Sequence, residues 1–195
     1  MAKDSNKNEY VQCCKRLIGA GADLNHRDHL GRTSLHWAVF YNKPDLVSEL
    51  LDCGSDPKIR DDGGQNVLHF AIRVHAVECI QVLCDQVENE VLRESNNKGV
   101  PPIIYAVQQG HADSCEILLK AGVDINEIED NNVSKTALHY SVEFNRLDLV
   151  QFLLSHEARV DIADASKLTV VDLSCICDDY HYLATIIDHL GDERR

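Results

Sequence analysis

One chemical pattern recurs along this chain at a nearly constant interval, and that interval limits the folds available to it. "GRTSLHWAVF" at residues 31–40 is answered by "GQNVLHFAIR" at residues 64–73. The small residue after the aromatic recurs as Ala38, Ala71, Ala106, Ser141 and Ser174, at spacings of 33, 35, 35 and 33. Seven residues before these stand Gly31, Gly64, Gly99, Ser134 and Lys167, and ten before stand Asp28, Asp61, Asn96, Asn131 and Asp164. Thirteen after them stand Leu51, Cys84, Leu119, Leu154 and Ile187, and the pattern extends back to Ile18. Agreement in phase across independent slots marks an internally repeated architecture.

Each copy has the same local logic. An Asx residue followed by Gly makes a tight turn, because Asx side chains cap turns and Gly accepts positive φ. Thr33 and Thr136 sit where a helix should begin, with a hydroxyl able to satisfy an orphan amide. A short helix follows, then a second such as "PDLVSELLDCG", ended by Gly54 as "EILLKAG" is ended by Gly122. Apolar residues recur at helical spacing. One helix pair of this size cannot bury its apolar face alone, so copies must stack, each covering its neighbour. The reading is all-α: a solenoid of stacked helix-turn-helix units with projecting hairpin loops.

The 195 residues are 44% hydrophobic, enough for a sizeable core. No apolar run reaches the roughly 18 residues that a membrane helix needs, and the start "MAKDSNKNEY" has no signal-peptide apolar region. Membrane insertion is therefore not expected; the net charge of −13 repels phosphate backbones, so direct nucleic-acid binding is not expected either, and a partner with a basic surface is. The eight cysteines show no paired CxxC spacing; most fall in helical stretches, where Cys packs as a small hydrophobe. Reduced thiols and a cytoplasmic or nuclear setting follow as the simpler reading.

"DHLGRTSLHWA", "DDGGQNVLHFA" and "NNVSKTALHYS", with the closing segments "GAGADLN" (19–25) and "KAGVDIN" (120–126), resemble ankyrin repeats over nearly the whole chain. The resemblance implies paired antiparallel helices with hairpin loops on one side. It divides the chain, read as a single domain 1–195, into a partial repeat 1–27, repeats 28–60, 61–95, 96–130 and 131–163, and a degenerate C-terminal capping repeat 164–195. It also implies that His36, His69 and His139 bond neighbouring backbone and steady the loops. Ile104 fills that slot in "VPPIIYA", so the bond is lost there. Two extra residues are counted before Asn96 and two before Asn131, as loop insertions. The N-terminal slots suggest either a segment of a longer array or a truncated first repeat.

Other chemistry finds little support. "GAGADL" puts Leu24 where a dinucleotide loop needs its third glycine, and "DDGGQN" lacks the Lys-Ser/Thr of a phosphate loop. Asp28, Ser34 and His36 could be drawn as a hydrolytic triad, but His36 shares its slot with His69 and His139. Cys175, Cys177 and His181 could be drawn as metal ligands, but residues two apart point to different sides of a helix. Glu88 and Glu90 read as a solvated loop rather than an acid–base pair. Asn25 and Asn126 resemble the asparagines that asparaginyl hydroxylases modify in ankyrin repeats; the alternative is a hydrogen-bonding loop role. No cofactor or metal is expected, and the chain is not expected to be an enzyme.

The resemblance places partner contacts on the loop tips and on the exposed face of each first helix. The tip positions are His29, Leu30 and Arg32; Asp62 and Gln65; Asn97 and Lys98; and Asn132, Val133 and Lys135. The helix positions are Phe40 and Tyr41, Arg73 and Val74, Gln108 and Gln109, Glu143 and Phe144, and Ile176 and Cys177. Their residue types vary while the core slots persist, which suits recognition better than packing. Trp37 shares its slot with Phe70, Tyr105 and Tyr140 and reads as packing. The expected function is a non-catalytic protein-interaction module. The alternatives are a stand-alone inhibitor of a kinase or transcription factor, or the ankyrin segment of a larger enzyme or channel.

Overall fold

The computed structural model describes residues 12, 15–176 and 180–192. Their order follows the repeat: α1 (Ser34–Phe40), α2 (Pro44–Asp52), α3 (Val67–Arg73), α4 (Val77–Gln86), α5 (Asn89–Arg93), α6 (Pro102–Gln109), α7 (Ala112–Lys120), α8 (Ala137–Glu143), α9 (Leu147–Ser155), α10 (Val170–Ile176) and α11 (Tyr180–Asp192). Extended pairing among the described residues is confined to two isolated antiparallel bridges, Ile128 with Thr136 and Ala163 with Thr169, at the hairpin bases. The chain forms two compact units, Met1–Val91 and Leu92–Arg195.

In the first unit, α1 packs on α2 and α3 on α4, while α1 lies against α3 and α2 against α4. Helices of seven to ten residues are too short to persist alone, and this mutual burial holds them. Ala38 and Ala71 are buried where the first helices approach each other. In the second unit, the first helices α6, α8 and α10 follow one another in contact, and α9 packs on α11. Here the small slot holds Ala106, Ser141 and Ser174, all buried. Each serine disposes of its hydroxyl on its own helix: Ser141 Oγ donates to the Leu138 carbonyl and Ser174 Oγ to that of Val170, both at 2.8 Å. The polar atom is satisfied without widening the contact.

The histidine slot bonds neighbouring backbone, as expected, at His36 and His139. His36 Nδ1 accepts the Thr33 amide at 3.3 Å, and His139 Nδ1 that of Thr136 at 3.2 Å, which leaves the ring proton on Nε2. His139 Nε2 then lies 3.3 Å from the Leu168 carbonyl in the next hairpin. His69 Nδ1 instead faces the Asn66 amide oxygen at 2.7 Å, so its proton sits on Nδ1. Burial lowers the pKa of His36 and His139, keeping both rings neutral at pH 7. Ile104 fills the third slot fully buried, with no side-chain cap from Pro101. Asp172 takes the slot in the last copy, accepting the Thr169 amide at 2.8 Å.

Three backbone positions per copy need the left-handed region. The hairpin slot holds Gly31, Gly64, Gly99, Ser134 and Lys167, all at positive φ. A second slot, four residues after the small residue, holds Asn42, His75, Gly110 and Asn145, again all at positive φ. A third ends the second helix at Gly54, Gly122 and Glu157. The second copy is the exception. Val87 is extended there, and the chain runs on into the extra helix α5, with Val91 and Leu92 buried. The first insertion thus becomes structure at the exit of a second helix. Lysine in the left-handed region costs about 1 kcal/mol relative to glycine. Lys167→Gly is therefore expected to raise stability by about 0.5–1 kcal/mol, read as a higher denaturant midpoint at unchanged slope.

The second insertion corrects the sequence count. The backbone pair that closes each hairpin joins Asp28 to Arg32, Asp61 to Gln65 and Asn96 to Val100, but in the next copy it joins Glu129 to Lys135. Glu129, not Asn131, takes the place of Asp28, and the two extra residues lie within the tip rather than before it. The aromatic slot agrees: Trp37 Nε1 donates to Asp28 Oδ2 and the Tyr140 hydroxyl to Glu129 Oε1, each at 2.9 Å.

Candidate protein-interaction face

In the first unit, the hairpin tips stack through backbone: the Asp62 amide donates to the Leu30 carbonyl at 2.9 Å. His29, Leu30 and Asp62 are exposed, whereas Arg32 and Gln65 are half-buried. At the end of α1, Phe40 is 47% and Tyr41 62% exposed. They are not isolated. The Trp37 ring centroid lies 5.5 Å from Phe40 and 6.1 Å from Tyr41, and those two lie 5.2 Å apart. The Arg32 guanidinium lies 5.4 Å from the Trp37 centroid and 5.2 Å from that of Phe70. Arg73 covers Phe70 from 4.6 Å, donates to Gln65 Oε1 at 2.7 Å and pairs with Asp61 at 3.5 Å. Five predicted positions, Arg32, Phe40, Tyr41, Gln65 and Arg73, therefore join one aromatic–cationic face. Val74 is half-buried at the end of α3. Sequence reasoning missed Trp37 as a member. Its edge bonds Asp28 while its faces carry Arg32 and Tyr41, and the recurrence of its slot concealed that double use.

In the second unit, Asn97, Lys98, Asn132 and Val133 are exposed on their tips. The Asp130 amide donates to the Gly99 carbonyl at 2.8 Å, and Asn131 Nδ2 to that of Lys98 at 3.2 Å. Phe144, 47% exposed, lies 5.6 Å from Tyr140. Lys135 sits 5.6 Å over the Tyr140 ring and forms an ion pair with Glu143. Gln108 is half-buried and Gln109 exposed. Lys135, Glu143 and Phe144 thus gather around Tyr140. Ile176 is exposed at the end of α10, and Cys177 lies outside the described residues, as do Cys13 and Cys14.

Charge is distributed unequally between the two halves of each copy. The hairpins and first helices (28–43, 61–76, 96–111, 129–146) carry six Lys/Arg against six Asp/Glu. The second helices and their exits (44–60, 77–95, 112–128, 147–163) carry five against sixteen. Most of the acidity belongs to the second helices together with their exits, and the hairpin and first-helix segments are balanced. One acidic group of this flank is half-buried. Glu127, beside Arg93 at 3.8 Å, has its pKa pushed up to about 7 by burial, which outweighs the pull of Arg93. The folded chain holds a proton that the unfolded chain releases from about pH 4.5, so this group's contribution to stability falls as pH rises from there to about 7. Glu127→Gln should flatten that part of the stability–pH curve, measured by urea unfolding between pH 5 and 8.

The rejected chemistries have ordinary structural partners. Ser34 Oγ donates to the Leu24 carbonyl and Asp28 accepts from Trp37, so neither is directed at His36. Glu88 and Glu90 both accept from Lys58. Asn25 and Asn126 accept the Asp56 and Arg159 amides at 2.9 and 2.8 Å, linking successive loops. Burial pushes the Cys84 and Cys115 thiols up to about 12. Among the described residues, no group of three His, Cys, Asp or Glu is arranged to hold a metal, and no helix is long and apolar enough to cross a membrane.

The family model described as ankyrin repeats (3 copies) matches residues 2–94, 35–129 and 88–164. Neurogenic locus notch homolog protein 2 of Homo sapiens is 28% identical over 156 residues, which are 79% of this chain and 5% of that protein. Palmitoyltransferase ZDHHC13 of Homo sapiens is 42% identical over 59 residues, 30% of this chain and 9% of that protein. This chain thus spans a small fraction of the curated relatives it matches. Among solved structures, the ankyrin repeat domain of Bcl-3, a member of the IkappaB protein family, superposes with a TM-score of 0.86 at 24% identity, covering 95% of this chain and 82% of that one. EF0377, an ankyrin repeat protein, gives 0.78 at 23%, covering 94% of both chains. The fold is the ankyrin-repeat solenoid.

Proposed function

Since the chain belongs to the ankyrin repeat family, we infer that it works by binding, through its hairpin tips and first-helix face, a segment of another protein, and that it catalyses no reaction itself. The observation that carries this is the cluster of Trp37, Phe40 and Tyr41. Two large aromatic side chains are held open to solvent on a third, beside two arginines, on a frame that the other copies repeat with different residues. Aromatic and Arg side chains dominate the energetics of protein interfaces. Phe144 on Tyr140 is the corresponding feature of the second unit. The acidic second helices favour partners with a basic surface by long-range attraction, and they oppose nucleic acid. A cytoplasmic or nuclear setting suits the buried thiols Cys79, Cys84 and Cys115, which act as packing residues.

The combined variant Phe40→Ala, Tyr41→Ala, Arg73→Gln should abolish capture of partner protein from cell extract while its thermal unfolding midpoint stays near that of the parent. Unchanged capture removes this face from consideration. A second reading has its own support: the curated relatives are far longer than the matched segment, so the chain would serve as the docking part of a larger protein whose activity lies elsewhere. The stand-alone inhibitor reading predicts instead that the chain alone blocks its partner's activity. A titration of the purified chain against an identified partner separates the two.

A further inference from the structure

Arg32 differs from the other cations around the first-unit face. Arg27 is paired with Asp62 at 3.2 Å and Arg73 with Asp61 at 3.5 Å. Arg32 has no carboxylate within ion-pair distance among the described residues, and its Nε is buried without a hydrogen-bond partner. Its guanidinium is instead held against two rings, Trp37 and Phe70. The adjacent carboxylate of Asp28 is already committed. One oxygen accepts the Leu30 and Arg32 amides at 2.8 and 2.9 Å, and the other accepts the Trp37 indole at 2.9 Å. A guanidinium stacked on aromatics is planar, oriented and partly desolvated, which are the conditions under which it binds a carboxylate bidentately. Phe40 and Tyr41 supply apolar surface on the same Trp37 ring.

Resting on the docking reading above, we propose that the face formed by Arg32, Trp37, Phe40 and Tyr41 accepts an extended segment of a partner protein in which an Asp or Glu side chain stands beside a large apolar one. The carboxylate pairs with Arg32, and the apolar group packs on Phe40 and Tyr41. The chemistry is opposite to what the net charge of −13 suggests, and the reason is local: the acidic excess sits on the second helices and their exits, whereas the hairpins and first helices are balanced, and among the described residues Arg32 meets rings rather than a carboxylate. A polyanionic nucleic acid offers phosphates to the same guanidinium, but it would do so against the repulsion of the whole chain.

The test is selection of a random dodecapeptide display library on the purified chain, on Arg32→Gln, and on Phe40→Ala/Tyr41→Ala. The unchanged chain should enrich peptides with Asp or Glu adjacent to an aromatic or long aliphatic residue. Arg32→Gln should lose the acidic preference and keep the apolar one, and the double variant should lose both. For a synthesised enriched peptide, Arg32→Gln and replacement of the peptide's acid by its amide should each weaken binding about tenfold, with little further loss when combined. Enriched peptides without carboxylates, or independent losses in that cycle, overturn the proposal. So does displacement of the peptide by single-stranded DNA, and so does a dimer, seen by light scattering, that Phe40→Ala/Tyr41→Ala dissolves. Absence of enrichment overturns this proposal alone if the triple variant still loses partner capture, and both readings if it does not.

Discussion

Phe70→Ala is expected to destabilise the first unit by about 3–5 kcal/mol, the usual cost of removing a fully buried aromatic side chain. Phe70 is 0% exposed, and its loss removes more than volume. His36 packs edge-on against the ring at 5.3 Å, and the Arg32 and Arg73 guanidinium groups lie over it at 5.2 and 4.6 Å. Both cations would lose the floor that orients them, so partner binding should fall even at temperatures where the variant stays folded. Phe40→Ala is the control. Its side chain is 47% exposed, and truncating an exposed residue changes stability by roughly 0.5 kcal/mol or less. Urea unfolding followed by circular dichroism distinguishes the two. Because repeat arrays unfold by nearest-neighbour steps, the change for Phe70→Ala should appear as a separated early transition or a lowered midpoint. Equal effects from the two variants would show that Phe40 is structural and would remove the main support for the interaction face.

Gly99→Ala is expected to cost about 2–4 kcal/mol, from two additive causes. Gly99 stands at φ +75°, where an L side chain is strained. A Cβ there would also lie 2.8 Å from the Asp130 carbonyl oxygen and 2.9 Å from its carbon, and backbone cannot swing away as a side chain can. The same glycine's carbonyl accepts the Asp130 amide, so relieving the clash separates the two hairpin tips and breaks that bond. Gly54→Ala isolates the first cause. Its φ is +93°, but no atom would lie within 4 Å of the new Cβ. It should therefore cost about 1–2 kcal/mol, the conformational part alone. If the two variants were equally destabilised, close packing of hairpin backbones would not be what demands glycine at Gly99.

The repeating frame was legible because its causes are local and recur in phase. Thr33 and Thr136 with their histidines, the hairpin glycines, and the buried small residues each perform one physical task at one slot. Some tasks were harder to see because several residue types satisfy them. The left-handed turn between paired helices is built by Asn42, His75, Gly110 and Asn145, which share a tolerance for positive φ rather than a side chain. The signal was present in the sequence as a constant offset from the small residue. The position of the second insertion could not be counted out. Asn131 and Glu129 can both head a turn, and the cross-hairpin pairing of Glu129 with Lys135 selects between them.

The sequence by itself determined the helical class, the period and the slots from which a contact face would be drawn, since periodic burial and turn chemistry are properties of a few neighbouring residues. Tertiary structure decided which of those slots meet. Arg32 and Phe70 are separated by a whole copy in the chain but stack in space, Arg73 is paired with Asp61, and Arg32 meets no carboxylate among the described residues. The chemistry of the face depends on that pairing of charges between copies. Pairing is set by distances across packed helices and hairpins, which no local pattern encodes.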